Sequence, residues 1–144
     1  MAETTPLVLV LDRLAVALVA ATNTAIAEVG AGDLSFAQWR CLMVVGGASE
    51  PLRLGEIAGR ISASMPSASR LVGRMERRGL VSSSRDPVDG RGRRIVLTQA
   101  GNDLRARVIG RRRAMLERSL AGLGSDPEVT DRLAAVVDRL DRWV

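Results

Sequence analysis

Residues 52–98 read LRLGEIAGRISASMPSASRLVGRMERRGLVSSSRDPVDGRGRRIVLT, and their pattern decides the fold. Their first part carries apolar residues at helical spacing, which predicts a short helix with one buried stripe: Leu54, Ile57, Ala58 and Ile61. A second set follows at i, i+3, i+4 and i+7: Ala68, Leu71, Val72 and Met75. Two short helices joined by a tight turn form a helix-turn-helix, whose second helix enters the major groove of DNA.

Local signals mark the ends of the second helix. The sequence Ser62-Ala63-Ser64 interrupts the apolar spacing, and Ser64 can cap the helix by accepting a hydrogen bond from a free backbone N–H. Pro66 falls in the first turn, where its missing N–H costs nothing. Gly79 is a typical helix-terminating glycine.

A basic β-hairpin is predicted after this helix. Residues 80–85 and 93–98 are strand-like, and residues 86–90 between them have turn composition. The tip, residues 89–94, combines glycines that let the backbone bend with arginines that can meet a phosphate or a minor groove. Residues 52–54 can add a third strand. A helix-turn-helix followed by such a hairpin is a winged helix.

Long helices are predicted on both sides of this unit. Residues 6–29 form a helix that is apolar nearly all round, and such a helix is buried on more than one side. Residues 36–47 form a second helix, with five residues expected to point inward: Phe36, Trp39, Leu42, Met43 and Val44. Thr98 can cap a helix over residues 99–122, and a capping-box pattern at residues 125–128 starts the last, strongly amphipathic helix.

The fold class that follows is mainly α with a small β-hairpin wing. We expect a single domain over residues 1–144, in which residues 52–98 form the winged helix-turn-helix. Residues 1–30 and 99–144 are expected to form a helical dimerisation region from both termini. The last helix is expected to lie on the first, both within the subunit and across a two-fold axis.

The positive charge is concentrated on the winged unit. Residues 53–94 contain 10 arginines against 4 acidic residues, whereas the rest of the chain has 11 against 12. A basic surface of this kind releases counterions from DNA phosphates, so the clustering favours nucleic acid over an ordinary solvated face. The arginines of residues 99–122 are expected to pair with acids such as Asp103 and Glu117, with contacts to flanking DNA phosphates as the alternative.

Cys41 is the only cysteine, which excludes an intrachain disulfide and favours the cytoplasm. Its place inside an apolar helix predicts a buried structural role, with redox sensing as the alternative. Trp39 is expected to anchor the core, with the lining of a ligand cavity as the alternative. We expect no signal peptide and no membrane span, because Asp12-Arg13 interrupts the apolar start of the chain.

Two segments carry a resemblance to a known family. Residues 69–81, SRLVGRMERRGLV, resemble the recognition helix of the MarR (multiple antibiotic resistance regulator) family. Asp89-Gly90-Arg91, running on to Leu97-Thr98 and Gly101, resembles that family's wing signature. The resemblance implies a homodimeric transcription regulator that responds to a small aromatic or amphipathic effector. We expect a repressor that the effector releases from a pseudo-palindromic operator, with an activator as the alternative. It implies that the effector binds between the dimerisation helices and the winged unit.

The candidate DNA-binding residues lie on the second helix and the wing. The inward stripe leaves Met65 available to DNA, together with the candidates Ser64, Pro66, Ser67, Ser69, Arg70, Arg74, Arg91 and Arg93. Arg70 can read a guanine edge in bidentate fashion, and Arg91 is expected in the minor groove. Asp89 is expected to orient Arg91 or a neighbouring arginine.

Other functional classes are less favoured. The chain has no histidine and no lysine, which removes the common general bases, Schiff-base chemistry and histidine metal sites. We therefore expect no enzyme, no cofactor and no metal. A winged helix that binds protein instead of DNA is a further alternative, although the recognition helix is neither acidic nor markedly apolar.

Overall fold

The computed structural model of the chain describes residues 6–86, 90, 92–122 and 126–141. Helices and short strands alternate along these residues in the order α1 (Pro6–Glu28), α2 (Phe36–Gly47), β1 (Leu52–Arg53), α3 (Leu54–Arg60), α4 (Met65–Arg77), β2 (Val81–Arg85), β3 (Arg93–Leu97), α5 (Gln99–Leu120) and α6 (Pro127–Leu140). The predicted fold class, mainly α with a small winged sheet, is confirmed.

Helices α3 and α4 form the predicted helix-turn-helix. The Ser64 hydroxyl accepts a hydrogen bond from Ser67 N at 3.4 Å, and Pro66 lies in the first turn of α4, both as predicted. Between the helices Ser62 adopts φ 54, a left-handed conformation that turns the chain sharply. Gly79 ends α4 with φ 67, where glycine carries no steric penalty.

The strands form an antiparallel sheet in the order β1-β3-β2. The third strand expected at residues 52–54 is confirmed as β1, which pairs Leu52 with Ile95. Leu52, Val81 and Ile95 are buried, so one face of the sheet closes the core over α2 and α3. The sheet thereby joins the hairpin to the segment that directly precedes α3.

Helix α2 lies at the centre of the core. Ser35 caps it in a capping box, in which Gln38 N donates to Ser35 Oγ at 3.2 Å and Ser35 N donates to Gln38 Oε1 at 2.9 Å. Trp39 is buried in the core, as predicted. The inward assignment of Phe36 is wrong, since the structure leaves that side chain exposed. At 100° per residue, Phe36 falls opposite the buried side of the helix, which includes Val45 instead.

Helix α5 follows the wing and returns to the first two helices of the chain. It packs against α1 and α2, and its residues Leu104 and Val108 lie in the core. Thr98 caps α5 as predicted, by accepting a hydrogen bond from Gly101 N at 3.1 Å. The expected pairing of the α5 arginines with Asp103 and Glu117 is wrong, because neither acid forms an ion pair in the part of the chain that the structure describes. Arg111 pairs with Glu28 on α1, and Asp103 accepts a hydrogen bond from Gln99.

The terminal helices leave most of their apolar surface exposed. In α1 the buried residues lie near its end, at Thr22, Ala25 and Ile26. In α6 no residue is buried, although Asp126 caps the helix and Pro127 starts it. Packing of α6 on α1 within one subunit is therefore not observed; packing across a two-fold axis stays a prediction. Ser125 and Val144 lie outside the described residues.

Among the described helices, α1 is long and apolar enough to cross a membrane by length and composition alone. Of this apolar stretch, 6% is buried inside the subunit. The end of α1 that carries Ala25 and Ile26 belongs to the hydrophobic core and ties the helix to the folded subunit.

Candidate nucleic-acid interface

The exposed face of α4 carries the predicted DNA-reading residues. Ala68, Leu71, Val72 and Met75 are buried, which confirms the inward stripe. The residues on the other side of the helix are exposed: Pro66, Ser67, Ser69, Arg70 and Arg74. Because a helix turns 100° per residue, Arg70 and Arg74 lie one turn apart on this face. The structure therefore presents hydroxyl donors and guanidinium groups together, a chemistry suited to phosphates and base edges.

A short hydrogen-bond chain organises the start of α4. The Ser64 hydroxyl donates to Ser67 Oγ at 3.0 Å. Arg70 Nη2 donates to the same oxygen at 3.4 Å. These contacts hold the Arg70 side chain along the first turn of the helix, the end that reaches base edges when a recognition helix enters the major groove.

The base of the wing is built around Asp86, which the sequence pattern marked only as a turn residue. Its carboxylate is buried and pairs with two arginines from different strands. Arg53 Nε on β1 donates to Oδ2 at 2.8 Å, and Arg94 Nε on β3 donates to the same oxygen at 2.9 Å. The one sign of this pairing in the sequence is an acidic residue between two strands that carry arginines. Its burial depends on β1 joining the sheet.

Asp86 also closes the wing through its backbone. Asp86 N donates to Gly92 O at 2.8 Å, and Gly90 N donates to Asp86 O at 3.0 Å. Gly90 adopts φ 59, as a tight turn requires. The candidates Asp89 and Arg91 lie outside the described residues, so their roles stay predictions.

Arg93, another candidate, is tied to the end of the recognition helix. Its Nη2 lies 2.9 Å from Glu76 Oε1 and also donates to Ser83, whose hydroxyl in turn donates to Glu76. The Arg93 side chain is still 62% exposed. The charge of Arg93 is thus partly offset by Glu76, although the side chain faces solvent. This arrangement suits a residue that positions the wing better than one that binds a DNA phosphate directly.

A cleft of about 500 Å³ separates α4 from the sheet. Leu54 and Val72 contribute apolar walls, and Arg53, Glu76 and Arg93 contribute charges. Met65 and Ser69 line the cleft from the start of α4. The side of α4 that lines this cleft is therefore open to a partner. At the other end of α4, Arg78 pairs with Asp33 at 2.8 Å and anchors the helix.

Cys41 lies in the core and away from this surface. Burial raises the pKa of its thiol to about 11, so the group is protonated at neutral pH. The thiolate is the reactive form of cysteine, and the geometry therefore favours the structural role over redox sensing. Among the described residues, no cluster of three cysteine or acidic side chains is placed to hold a metal ion.

Charged and polar side chains also connect α1 with α5. The hydrogen bond from Arg111 lowers the pKa of Glu28, and the same bond raises the pKa of Arg111. Arg112 Nη1 donates to Thr22 Oγ1 at 3.4 Å, nearly two turns of α1 before Glu28. At least these two α5 arginines are engaged by α1, which weakens the alternative that they contact flanking DNA.

Comparison with known proteins confirms the resemblance. The model of the MarR family matches residues 32–92, a stretch that runs from the segment before α2 into the wing. No curated protein matches the sequence.

Solved structures extend the likeness over nearly the whole chain. The transcriptional regulator Tm0710 from Thermotoga maritima is 23% identical, with 96% of each chain covered and a TM-score of 0.74. CouR from Rhodococcus jostii, solved with p-coumaroyl-CoA, is 23% identical over 94% of this chain and 92% of its own, with a TM-score of 0.74. A mutant of MepR from S. aureus, solved with an oligodeoxyribonucleotide, is 20% identical over 99% of this chain and 100% of its own, with a TM-score of 0.67. Identities this low show a shared fold.

Proposed function

The chain has the winged-helix fold of MarR-family transcription regulators, and from this premise we propose that it is a DNA-binding transcription regulator. It acts as a homodimer on an inverted-repeat operator, with half-site centres about one helical turn apart. The observation that carries the proposal is the exposed face of α4, where Ser67, Ser69, Arg70 and Arg74 stand together above a buried apolar stripe.

We propose a role for each candidate residue. Arg70 at the first turns of α4 reads a guanine edge, while Ser67 and Ser69 bond phosphates or bases without strong discrimination. Ser64 and Pro66 shape the helix start beside the DNA backbone. Arg91 at the wing tip enters the minor groove, and Arg93 steadies the wing against α4.

A second copy of the chain covers the exposed apolar surface of the terminal helices. Helix α1 is largely exposed before Thr22, and its side chains Leu7 and Leu14 are 57% and 44% exposed. Helix α6 has no buried residue along its whole length. Exposed stripes of this length are unfavourable in water unless a partner buries them. Because the end of α1 belongs to the hydrophobic core and Asp12-Arg13 interrupts its apolar start, a dimer in the cytoplasm fits better than a membrane anchor.

The regulator is a repressor that a small aromatic or amphipathic molecule releases from DNA. Support comes from CouR, a relative in fold that was solved with p-coumaroyl-CoA. DNA binding has a parallel in the MepR complex with an oligodeoxyribonucleotide. The effector site is expected between the dimerisation helices and the winged unit.

A salt titration tests DNA binding and the role of Arg70. Fluorescence anisotropy should show that the protein binds random duplex DNA with an affinity that falls steeply with salt. On a selected operator, Arg70→Ala should weaken binding by about 1–3 kcal/mol per half-site, or roughly 2–6 kcal/mol for the dimer, with a smaller loss on random DNA. Arg139→Ala on α6 is the matched control and should change neither.

The same binding assay, repeated with peroxide, separates the alternative functions. A winged helix that binds protein would show no salt-dependent affinity for duplex DNA. A cysteine-based sensor would release DNA on peroxide treatment, and Cys41→Ala would resist that release.

A further inference from the structure

Met65 is an apolar side chain in an unexpected place. It is the first residue of α4, and 51% of its surface is exposed. The other exposed residues in the first two turns of α4 are polar or small: Pro66, Ser67, Ser69 and Arg70. The other methionine of α4, Met75, is fully buried. Since neither capping nor core packing requires a methionine at this position, its exposed surface is available to a partner.

The thioether of Met65 packs against α3. A Cβ built on Gly55 would lie 4.0 Å from Met65 Sδ, so the side chain rests against the first turn of α3. Ser69 lies one turn further along the same edge of α4, and both line the cleft beside the sheet. Met65 therefore offers a supported apolar surface at the end of α4 that the proposed function brings to the bases.

The surrounding charge indicates the partner's chemistry. Arg53 and Arg93 line the same cleft together with Glu76, which pairs with Arg93, and Arg70 and Arg74 are exposed on the same helix. The excess of arginines over acids favours an anionic partner, yet Met65 needs an apolar group to contact. In the major groove, thymine alone among the four bases presents a methyl group.

We propose that Met65 is a specificity-determining residue that contacts the C5-methyl group of a thymine in each operator half-site. This inference rests on the proposed function. Met65 complements Arg70 in it: the arginine recognises hydrogen-bond acceptors on a guanine, and the methionine recognises a methyl group. Both residues lie in the first two turns of α4.

The test removes the methyl group from the DNA. Binding sites are selected from a random duplex pool with the full-length protein, and each thymine of the selected site is replaced singly by deoxyuridine. At one thymine per half-site we expect binding to weaken about fourfold, the effect of burying one methyl-sized group. Replacement in both half-sites should weaken binding about fifteenfold. Deoxyuridine outside the half-sites is the DNA control.

Protein variants assign the contact to Met65. Met65→Ala should bind the thymine and deoxyuridine sites equally, whereas Met65→Leu should keep the preference for thymine. Because Met65 is half-exposed and Ser64 caps the helix, both variants should unfold at the wild-type temperature.

Several outcomes would overturn the inference: selected half-sites without thymine, no loss on deoxyuridine replacement, or the same loss in Met65→Ala as in the wild type. In each of these cases the protein has still selected DNA, so the proposed function stands. Failure to enrich any site from the pool would instead overturn the proposed function.

Discussion

At the scale of single residues, Asp86 connects the strands at the base of the candidate interface. Its carboxylate is hidden from solvent, whereas the side chain of its partner Arg53 is 45% exposed. Through Arg53 the acid reaches the residue that precedes α3, and through Arg94 it reaches β3. Its contacts thus fix the wing relative to the helix-turn-helix.

This geometry predicts an effect opposite to simple electrostatics for Asp86→Asn. The substitution raises the net charge by one unit, which alone would strengthen DNA binding. We expect binding to weaken instead, because hydrogen bonds to a charged group worth about 1.5–3 kcal/mol are lost or reduced and the wing shifts. Anisotropy titrations measure the affinity, and thermal unfolding shows that the variant is folded at the assay temperature.

Glu50→Gln is the matched control for charge. Glu50 is exposed and has no hydrogen bond or ion pair in the described part of the chain, so its loss should leave affinity unchanged or slightly higher. If Asp86→Asn behaves like this control, the wing does not depend on the buried acid.

At the scale of elements, the wing and α5 are tightly packed at their junction. Thr98 N donates to Leu80 O at 3.1 Å, and the first turn of α5 lies against the Leu80 backbone. A Cβ on Gly101 would overlap the Leu80 carbonyl oxygen and lie 3.1 Å from its carbon. Backbone atoms held in a sheet and a helix cap cannot move away as a flexible side chain can.

We therefore expect Gly101→Ala to reduce the free energy of unfolding by about 1–3 kcal/mol, the usual effect of overpacking. Gly110→Ala on the same helix is the control. A Cβ there would meet no atom within 4 Å, so the better helix propensity of alanine should stabilise by up to about 1 kcal/mol. Urea unfolding at one protein concentration compares the two. Equal stability of the two variants would show that α5 can move away from Leu80.

At the scale of the whole molecule, the exposed helices imply that the folded subunit is incomplete alone. The stripe of α6 includes Leu133 and Val137, which are 43% and 55% exposed. Burying a side chain of this kind contributes about 1.5–3 kcal/mol. Charges placed on this stripe should therefore oppose dimerisation.

The combined variant Leu133→Glu/Val137→Glu should sediment as a monomer or aggregate and lose operator binding, because one subunit reaches only one half-site. Asp138→Ala, which lies off this stripe, should remain a dimer. Sedimentation velocity at micromolar concentration measures the mass. A wild-type protein that sediments as a monomer, or a charged variant that remains a dimer, would contradict the proposed assembly.

The sequence by itself determined the features that depend on neighbouring residues. Apolar spacing predicted α3, α4 and their buried stripes, and the caps at Ser64 and Thr98 were found where expected. These features are readable because a helix period, a cap and a turn each involve residues a few positions apart. The wing's position followed from strand patterns on either side of a turn.

Only the tertiary structure decided which surfaces of these elements meet. It buried Asp86, because β1 and β3 bring two arginines from distant positions to one carboxylate. It turned Phe36 outward, since the side of α2 that packs depends on the helices around it. It paired Arg111 with Glu28 across two helices instead of along one. Contacts between residues far apart in the chain have no period in the sequence, and packing geometry alone selects them.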